Sequence, residues 1–208
     1  MLNKILASKY FFIGFVALGC VLQLLVYEEG MMLSLISGLC GVISLVLVSR
    51  RNLLGFIFGF AQLGTYLVIS WNERLWGEVG TTLFYIVTMA CALFIWSKHR
   101  EGNIVESRSL GTKFGAVVAL VTLAAIIGGW KLLGLTNDSQ PFMDSFSTVP
   151  AITAQTLMML RYREQWAYWI VIDVASVVMW SIAGDYNMVA QFVFWTLNCV
   201  YGWILWKE

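Results

Sequence analysis

Asp173 is the one carboxylate set deep inside an apolar run of this 208-residue chain, and no Lys, Arg or His accompanies it at that depth. Trp169, Asp173, Ser176 and Trp180 recur at i, i+4, i+7 and i+11, which places them along one side of a helix. Gln191, Trp195, Asn198 and Gly202 repeat that spacing further on. Together these groups suit a polar or cationic ligand. Indole faces attract a desolvated cation by about 2 kcal/mol, a carboxylate complements its charge, and amides pair with hydroxyl and carboxamide groups. The competing structural role for Asp173 is an interhelical hydrogen bond to Gln155 or Asn198, worth about 1 kcal/mol.

Other chemistries find little support. Cys20, Cys40, Cys91 and Cys199 are embedded in apolar runs without C-x-x-C spacing and read as core. His99 is the only histidine and lies in a polar stretch, so neither a metal cluster nor a histidine proton relay is expected, and no metal or cofactor. There is no G-x-x-x-x-G-K-[ST] phosphate loop, no paired carboxylates and no Cys/His nucleophile arrangement within the apolar runs, so an enzyme is not expected. A net charge of +1 lacks the basic excess of a nucleic-acid binder.

The elements that must position the stripe follow from composition. At 60% apolar and 12% charged residues, with a mean hydropathy of +0.78 and 2 prolines, the chain departs from soluble domains and reads as an all-α polytopic membrane protein. Apolar runs near 8–27, 30–49, 53–71, 78–96, 112–133, 144–160, 165–183 and 187–206 predict eight transmembrane helices, each about the 20 residues a bilayer requires. Polar clusters close them: Glu28-Glu29-Gly30, Arg50-Arg51-Asn52, Asn72-Glu73-Arg74, Lys98 to Lys113, Asn137-Asp138-Ser139, Arg161 to Glu164 and Gly184-Asp185. The first run lacks a small-x-small cleavage site before Glu28 and reads as a retained span.

With both termini cytoplasmic, the inner side carries 11 basic residues, from Lys4 and Lys9 through Arg50, Arg51, Arg108, Arg161 and Arg163 to Lys207; the outer side carries Arg74 and Lys131. This is the asymmetry of the positive-inside rule. Adding the acids gives +7 inside and −5 outside, with Asp173 apart, so the small net charge conceals a vectorial one. Trp71, Trp76, Trp96, Trp130, Trp166 and Trp206 sit near span ends and predict an interfacial belt.

Residues 34–98 and 145–208 resemble one another. At an offset of 111, Arg50-Arg51-Asn52 falls on Arg161-Tyr162-Arg163 and Gln62 on Asp173. After a one-residue adjustment in the outer loop, Tyr85 falls on Trp195, Thr88 on Asn198 and Trp96 on Trp206. The organisation expected is therefore an extra N-terminal helix (1–28), a three-helix bundle (30–98), a polar cytoplasmic linker (99–111), a linker helix (112–135) acting as a strut, and a second, parallel three-helix bundle (143–208). Secondary transporters are built this way, with substrate held near mid-membrane between the halves. Gln62, Tyr66, Tyr85, Thr88 and Gln155 join the candidate site beside Asp173, Asn198, Trp195, Trp169, Ser176, Trp180 and Gln191. Pro150 predicts a kink in the sixth span, and Gly55-x-x-x-Gly59 a close helix approach.

The stretch Glu164-x-Trp166-x-x-Trp169-x-x-x-Asp173, the ending Asn198-x-x-x-Gly202-x-x-x-Trp206, and three-plus-one-plus-three spans behind an extra helix resemble the PnuC family of nicotinamide riboside transporters. The resemblance covers about residues 30 to 207. It implies the fold of the SWEET sugar transporters, import of nicotinamide riboside, a vitamin B3 form and NAD precursor, by facilitated diffusion across the bacterial inner membrane, and trapping of the riboside by a cytoplasmic kinase. It also implies substrate contacts from Trp169, Asp173, Trp195 and Asn198. With Gly55 and Gly59 it points to a homo-oligomer such as a trimer. Related carriers of thiamine or riboflavin look similar, and a substrate-binding subunit of an ATP-driven vitamin importer is a further alternative.

Overall fold

The computed structural model describes residues 5–102, 104–135 and 141–207; Lys4, Asn137 to Ser139 and Glu208 lie outside them, as do the side chains at 76 and 77. Each apolar run becomes one helix: α1 (Lys9–Leu25), α2 (Met32–Ser49), α3 (Leu54–Asn72), α4 (Trp76–Ser97), α5 (Gly111–Leu133), α6 (Pro141–Met159), α7 (Gln165–Ala183) and α8 (Tyr186–Leu205). Between α4 and α5, β1 (Arg100–Glu101) and β2 (Ile104–Val105) form a small antiparallel hairpin.

Among the described residues six helices are long and apolar enough to cross a membrane: α2, α3, α4, α5, α7 and α8. The other two differ for physical reasons. Helix α1 is apolar but has 17 residues; at 1.5 Å per residue it is about 25 Å long. Its start is set by Ser8, whose hydroxyl accepts from the Phe11 amide. Helix α6 has the length but carries many hydroxyls, which it spends internally: Thr153 and Thr156 donate to carbonyls one turn back, and Ser145 to the Ile126 carbonyl of α5 at 2.7 Å. It continues through Pro150 without a break in its assigned span.

Helix α2 packs on α3 and α3 on α4; α6 packs on α7 and α7 on α8. Two further contacts join these sets, α4 with α6 and α2 with α8, while α5 lies on α6, and α1 on α2 and α8. The joining contacts are the same contact made twice. Trp96 donates its indole N–H to the Met158 carbonyl at 3.1 Å; 110 residues on, Trp206 donates to the carbonyls of Val48 at 3.3 Å and Ser49 at 3.1 Å. Phe56 meets Trp96 edge-on at 5.0 Å, and Trp166 meets Trp206 edge-on at 5.7 Å. Trp96 and Trp206 then touch each other at 5.5 Å. All four rings are at most 2% exposed and close the end of the molecule that carries the basic turns.

This corrects the belt expected from sequence. Trp71 and Trp130 are exposed as a belt requires, but Trp96, Trp166 and Trp206 face inward. Position near a span end does not tell which side of the helix a ring occupies.

The repeat register is corrected as well. Arg51 and Arg161 both have positive φ, at 57° and 67°, and Arg74 at 57° is matched by Gly184 at 78°. Both pairs are 110 apart, as are the hydrogen bonds around them: Asn52 N to Leu47 O matches Tyr162 N to Leu157 O, and Leu75 N to Ser70 O matches Asp185 N to Trp180 O. A single offset of 110 runs from one turn to the next, with no adjustment in the outer loop. Asp173 therefore corresponds to Leu63 and Gln62 to Ile172. Gly55 and Gly59 serve packing within the chain: a Cβ at 55 would meet Ser44 O and Val48, and one at 59 would meet Met89 and Ser44 Oγ.

The segment expected to be a simple linker is an ordered strap across both basic turns. Val105 N donates to Arg51 O at 3.0 Å, Arg108 N to Arg161 O at 2.7 Å, and Arg163 N to Arg108 O at 2.9 Å. Ser107 takes a bond from Arg51 at 3.4 Å and donates to the Trp206 carbonyl at 3.0 Å. Glu164 receives Ser109 Oγ at 2.7 Å and Leu110 N at 3.2 Å. Arg161 is 6% exposed and donates to the Glu106 carbonyl at 3.2 Å. Its burial, and then the nearby Arg108 cation, lower its pKa below the ordinary guanidinium value.

Candidate functional site

A cavity of about 520 Å³ opens between α1, α2, α3, α6, α7 and α8, with Met89 of α4 also on its wall, a volume ordinary for a small-molecule site. Chain direction gives it depth. Trp166, Gln165, Met158 and Val48 stand at the helix ends nearest the basic turns and form its floor, Trp166 being itself one of the four sealing rings. Gln62, Trp169, Asp173 and Trp195 lie at middle depth, Asn198 stands beside the floor, joined to Ser49 at the end of α2, and Gln23, Ser34, Tyr66, Ile69 and Gln191 lie toward the opposite end.

Asp173 is 5% exposed and is the one charged residue type on the wall. The Cys199 thiol donates to its Oδ2 at 3.4 Å. That partner replaces the Gln155 or Asn198 expected from sequence, and it gives Cys199 a polar contact where only packing was anticipated. A thiol is a weak donor, so much of the carboxylate's hydrogen-bonding capacity is left for the cavity. Asn198 is fully buried and receives Ser49 Oγ on its Oδ1 at 3.1 Å across the α2–α8 contact. At the matching α4–α6 contact, Gln155 Nε2 donates to Thr88 Oγ1 at 3.1 Å.

Eight of the twelve candidates line the cavity: Asp173, Asn198, Trp195, Trp169, Gln191, Gln62, Tyr66 and Gln155. The other four do not. Ser176 and Trp180 continue the α7 stripe beyond the lining residues, and the Ser176 counterpart in the first half, by the corrected register, is Tyr66. Thr88 stands behind Gln155, and the Tyr85 ring lies 5.7 Å from Phe84, outside the lining set. Tyr66 is held by a bond from its hydroxyl to Glu78 Oε2 at 3.2 Å.

The wall also includes Gln165, Trp166, Cys199, Phe192, Gln23 and serines 34 and 37, none of which was among the twelve candidates. Gln165 read as the first residue of the seventh span and Trp166 as a belt tryptophan, although Trp166 shares the stripe-forming α7 with Trp169 and Asp173. Gly202 explains how Trp166 fits: a Cβ there would stand 2.5 Å from the indole ring. The first half has Phe56 and Ala92 at the corresponding places, a smaller ring with a larger partner.

The model of the nicotinamide mononucleotide transporter family matches residues 31–208. A protein of Haemophilus influenzae described as nicotinamide riboside transporter PnuC is 29% identical over 208 residues, covering 96% of this chain and 91% of its own. One of Neisseria mucosa with the same description is 28% identical over 204 residues, covering 92% of this chain and 78% of its own. The crystal structure of the vitamin B3 transporter PnuC superposes with a TM-score of 0.80 at 24% identity, covering 97% of this chain and 92% of that one.

Proposed function

Because the chain belongs to the nicotinamide mononucleotide transporter family, we propose that this multi-pass membrane transporter carries the riboside and not the mononucleotide. The family is one of transporters, not enzymes. The observation that supports the choice of substrate is the charge of the cavity: among the described residues its lining includes Asp173 and no Lys, Arg or His. Nicotinamide riboside presents a pyridinium cation, a carboxamide and ribose hydroxyls. A carboxylate, two indoles and several amides complement each of these. The mononucleotide adds a phosphate dianion, which would enter a buried wall bearing only negative charge, at a cost of several kcal/mol.

Movement follows from the paired architecture. The α2–α4 and α6–α8 sets rock about their two matching contacts and expose the cavity alternately to each side. Nothing in the chain resembles an ATP-hydrolysing loop, so net import is facilitated diffusion drawn inward by phosphorylation of the riboside by a cytoplasmic kinase. The basic turns and the strap face the cytoplasm of a bacterial inner membrane, both termini are cytoplasmic, and the acidic outer face raises the local concentration of a cationic substrate. The working form is a homo-oligomer such as a trimer, assembled through the exposed apolar faces, since Gly55 and Gly59 are occupied within the chain.

Calorimetry on the purified chain tests the substrate directly. Saturable heat is expected with nicotinamide riboside and none with nicotinamide mononucleotide, thiamine or riboflavin. Binding of the mononucleotide as tightly as the riboside, or of thiamine alone, would overturn the reading. Uptake by the chain alone in liposomes excludes a separate ATPase.

A further inference from the structure

Three buried donors at the floor of the cavity have no hydrogen-bond partner among the described residues. The Gln165 amide nitrogen, the Trp166 indole nitrogen and the Asn198 amide nitrogen each lack a hydrogen-bond partner. Their residues are 1%, 1% and 0% exposed, and all three line the cavity. A buried donor left unpaired costs about 1–3 kcal/mol, which a ligand atom that accepted from it would recover.

The fold itself does not require these donors. The corresponding residues of the first half, 110 positions earlier, are Gly55, Phe56 and Thr88. Gly55 and Phe56 have no side-chain donor, and the Thr88 hydroxyl is satisfied by Phe84 O at 2.8 Å and by Gln155. The same turn, ring contact and interhelical joint are thus built without an orphan. Trp166 cannot swing away to find a partner, because its ring is wedged between Gly202 and Trp206. The open space that these three residues border is the cavity, so an acceptor would enter from there.

We infer that this floor is a subsite for an uncharged oxygen of the substrate, a hydroxyl or a carbonyl, and that Gln165 determines specificity for it. The inference rests on the reading of the cavity as the riboside site. Gln165 is the first residue of α7, where the helix dipole adds to the attraction for an electron-rich oxygen. Asp173 lies eight residues further along the same helix, about 12 Å of rise, and accepts where the floor donates. The substrate is therefore held lengthwise, its cation toward Asp173 and its oxygen-bearing end toward the basic face.

Gln165→Met keeps the length of the side chain and removes its donors. Calorimetry on the full chain compares wild type and Gln165→Met with nicotinamide riboside and with analogues each lacking one ribose hydroxyl or the carboxamide. The variant is expected to bind the riboside about tenfold more weakly, and for one analogue the difference between the two proteins disappears. The unfolding temperature of the ligand-free variant is expected to equal or exceed that of wild type, since an orphan donor has gone. Equal riboside affinities, an identical loss for every analogue, or a lowered ligand-free unfolding temperature would each overturn the assignment. Failure of wild type to bind riboside overturns the substrate reading instead, and the ligand-free unfolding temperature then still decides whether Gln165 is packing.

Discussion

The turn between α2 and α3 and the turn between α6 and α7 are built alike: a left-handed arginine, matching backbone bonds, an aromatic pair beneath, and a tryptophan from the facing set donating to the last carbonyls of the preceding helix. The walls above them are not alike. Where α7 carries Gln165, Trp166, Trp169 and Asp173, α3 carries Gly55, Phe56, Gly59 and Leu63. Positions that join and seal are kept in both halves, and polar chemistry is concentrated in one. A cavity lined by unlike residues of the two halves can suit an asymmetric ligand without disturbing the joints.

Asp173 and Leu63 give the sharpest test of that division. Asp173→Asn is expected to weaken riboside binding about 100-fold, or about 2.7 kcal/mol, whereas Leu63→Met leaves affinity within about twofold, since volume-conserving swaps are mild. Calorimetry decides, and comparable losses at both places would show that the first half shares the site. The sealing pairs come next. Gly202→Ala should lower stability by about 2 kcal/mol through overpacking against the Trp166 ring. Adding Trp166→Phe recreates the Phe56 and Ala92 pair and should restore thermal stability in detergent while reducing riboside affinity. If the double variant stays as unstable as the single one, the two aromatic joints are not equivalent. The smallest effect concerns the strap. Ser107→Ala removes its bonds to Arg51 and to the Trp206 carbonyl, costing about 1 kcal/mol, and faster amide exchange is expected at Val105 and Arg108 with binding unchanged. Unaltered exchange at both amides would mean that the Ser107 bonds do not hold the strap.

What was legible in sequence had a local cause. Apolar runs bounded by charge mark the helices because a bilayer imposes length, and the α7 stripe shows because polar residues in such a run need a reason. The register slipped by one because charge in Arg50-Arg51-Asn52 and Arg161-Tyr162-Arg163 was a stronger visible signal than backbone conformation. The left-handed residue is arginine in both turns, with no glycine to mark it. Hairpin strands of two residues are too short to show a period, so the strap read as linker. The Cys199 bond to Asp173 and the unpaired Gln165 nitrogen depend on which groups meet across helices, and no spacing within one helix encodes that.

The closing seal also has an order in time. Trp206, which directly follows α8, supplies the bond to Val48 and Ser49, and the Ser107 hydroxyl finds its acceptor on that same late residue. During synthesis the first turn and the hairpin can pair early, through Arg51 and Val105. The Val48 and Ser49 carbonyls wait for the remaining spans to enter the membrane. The tryptophan that closes the floor of the cavity thus arrives only with α8, and a chain stopped after α7 is left with an open base.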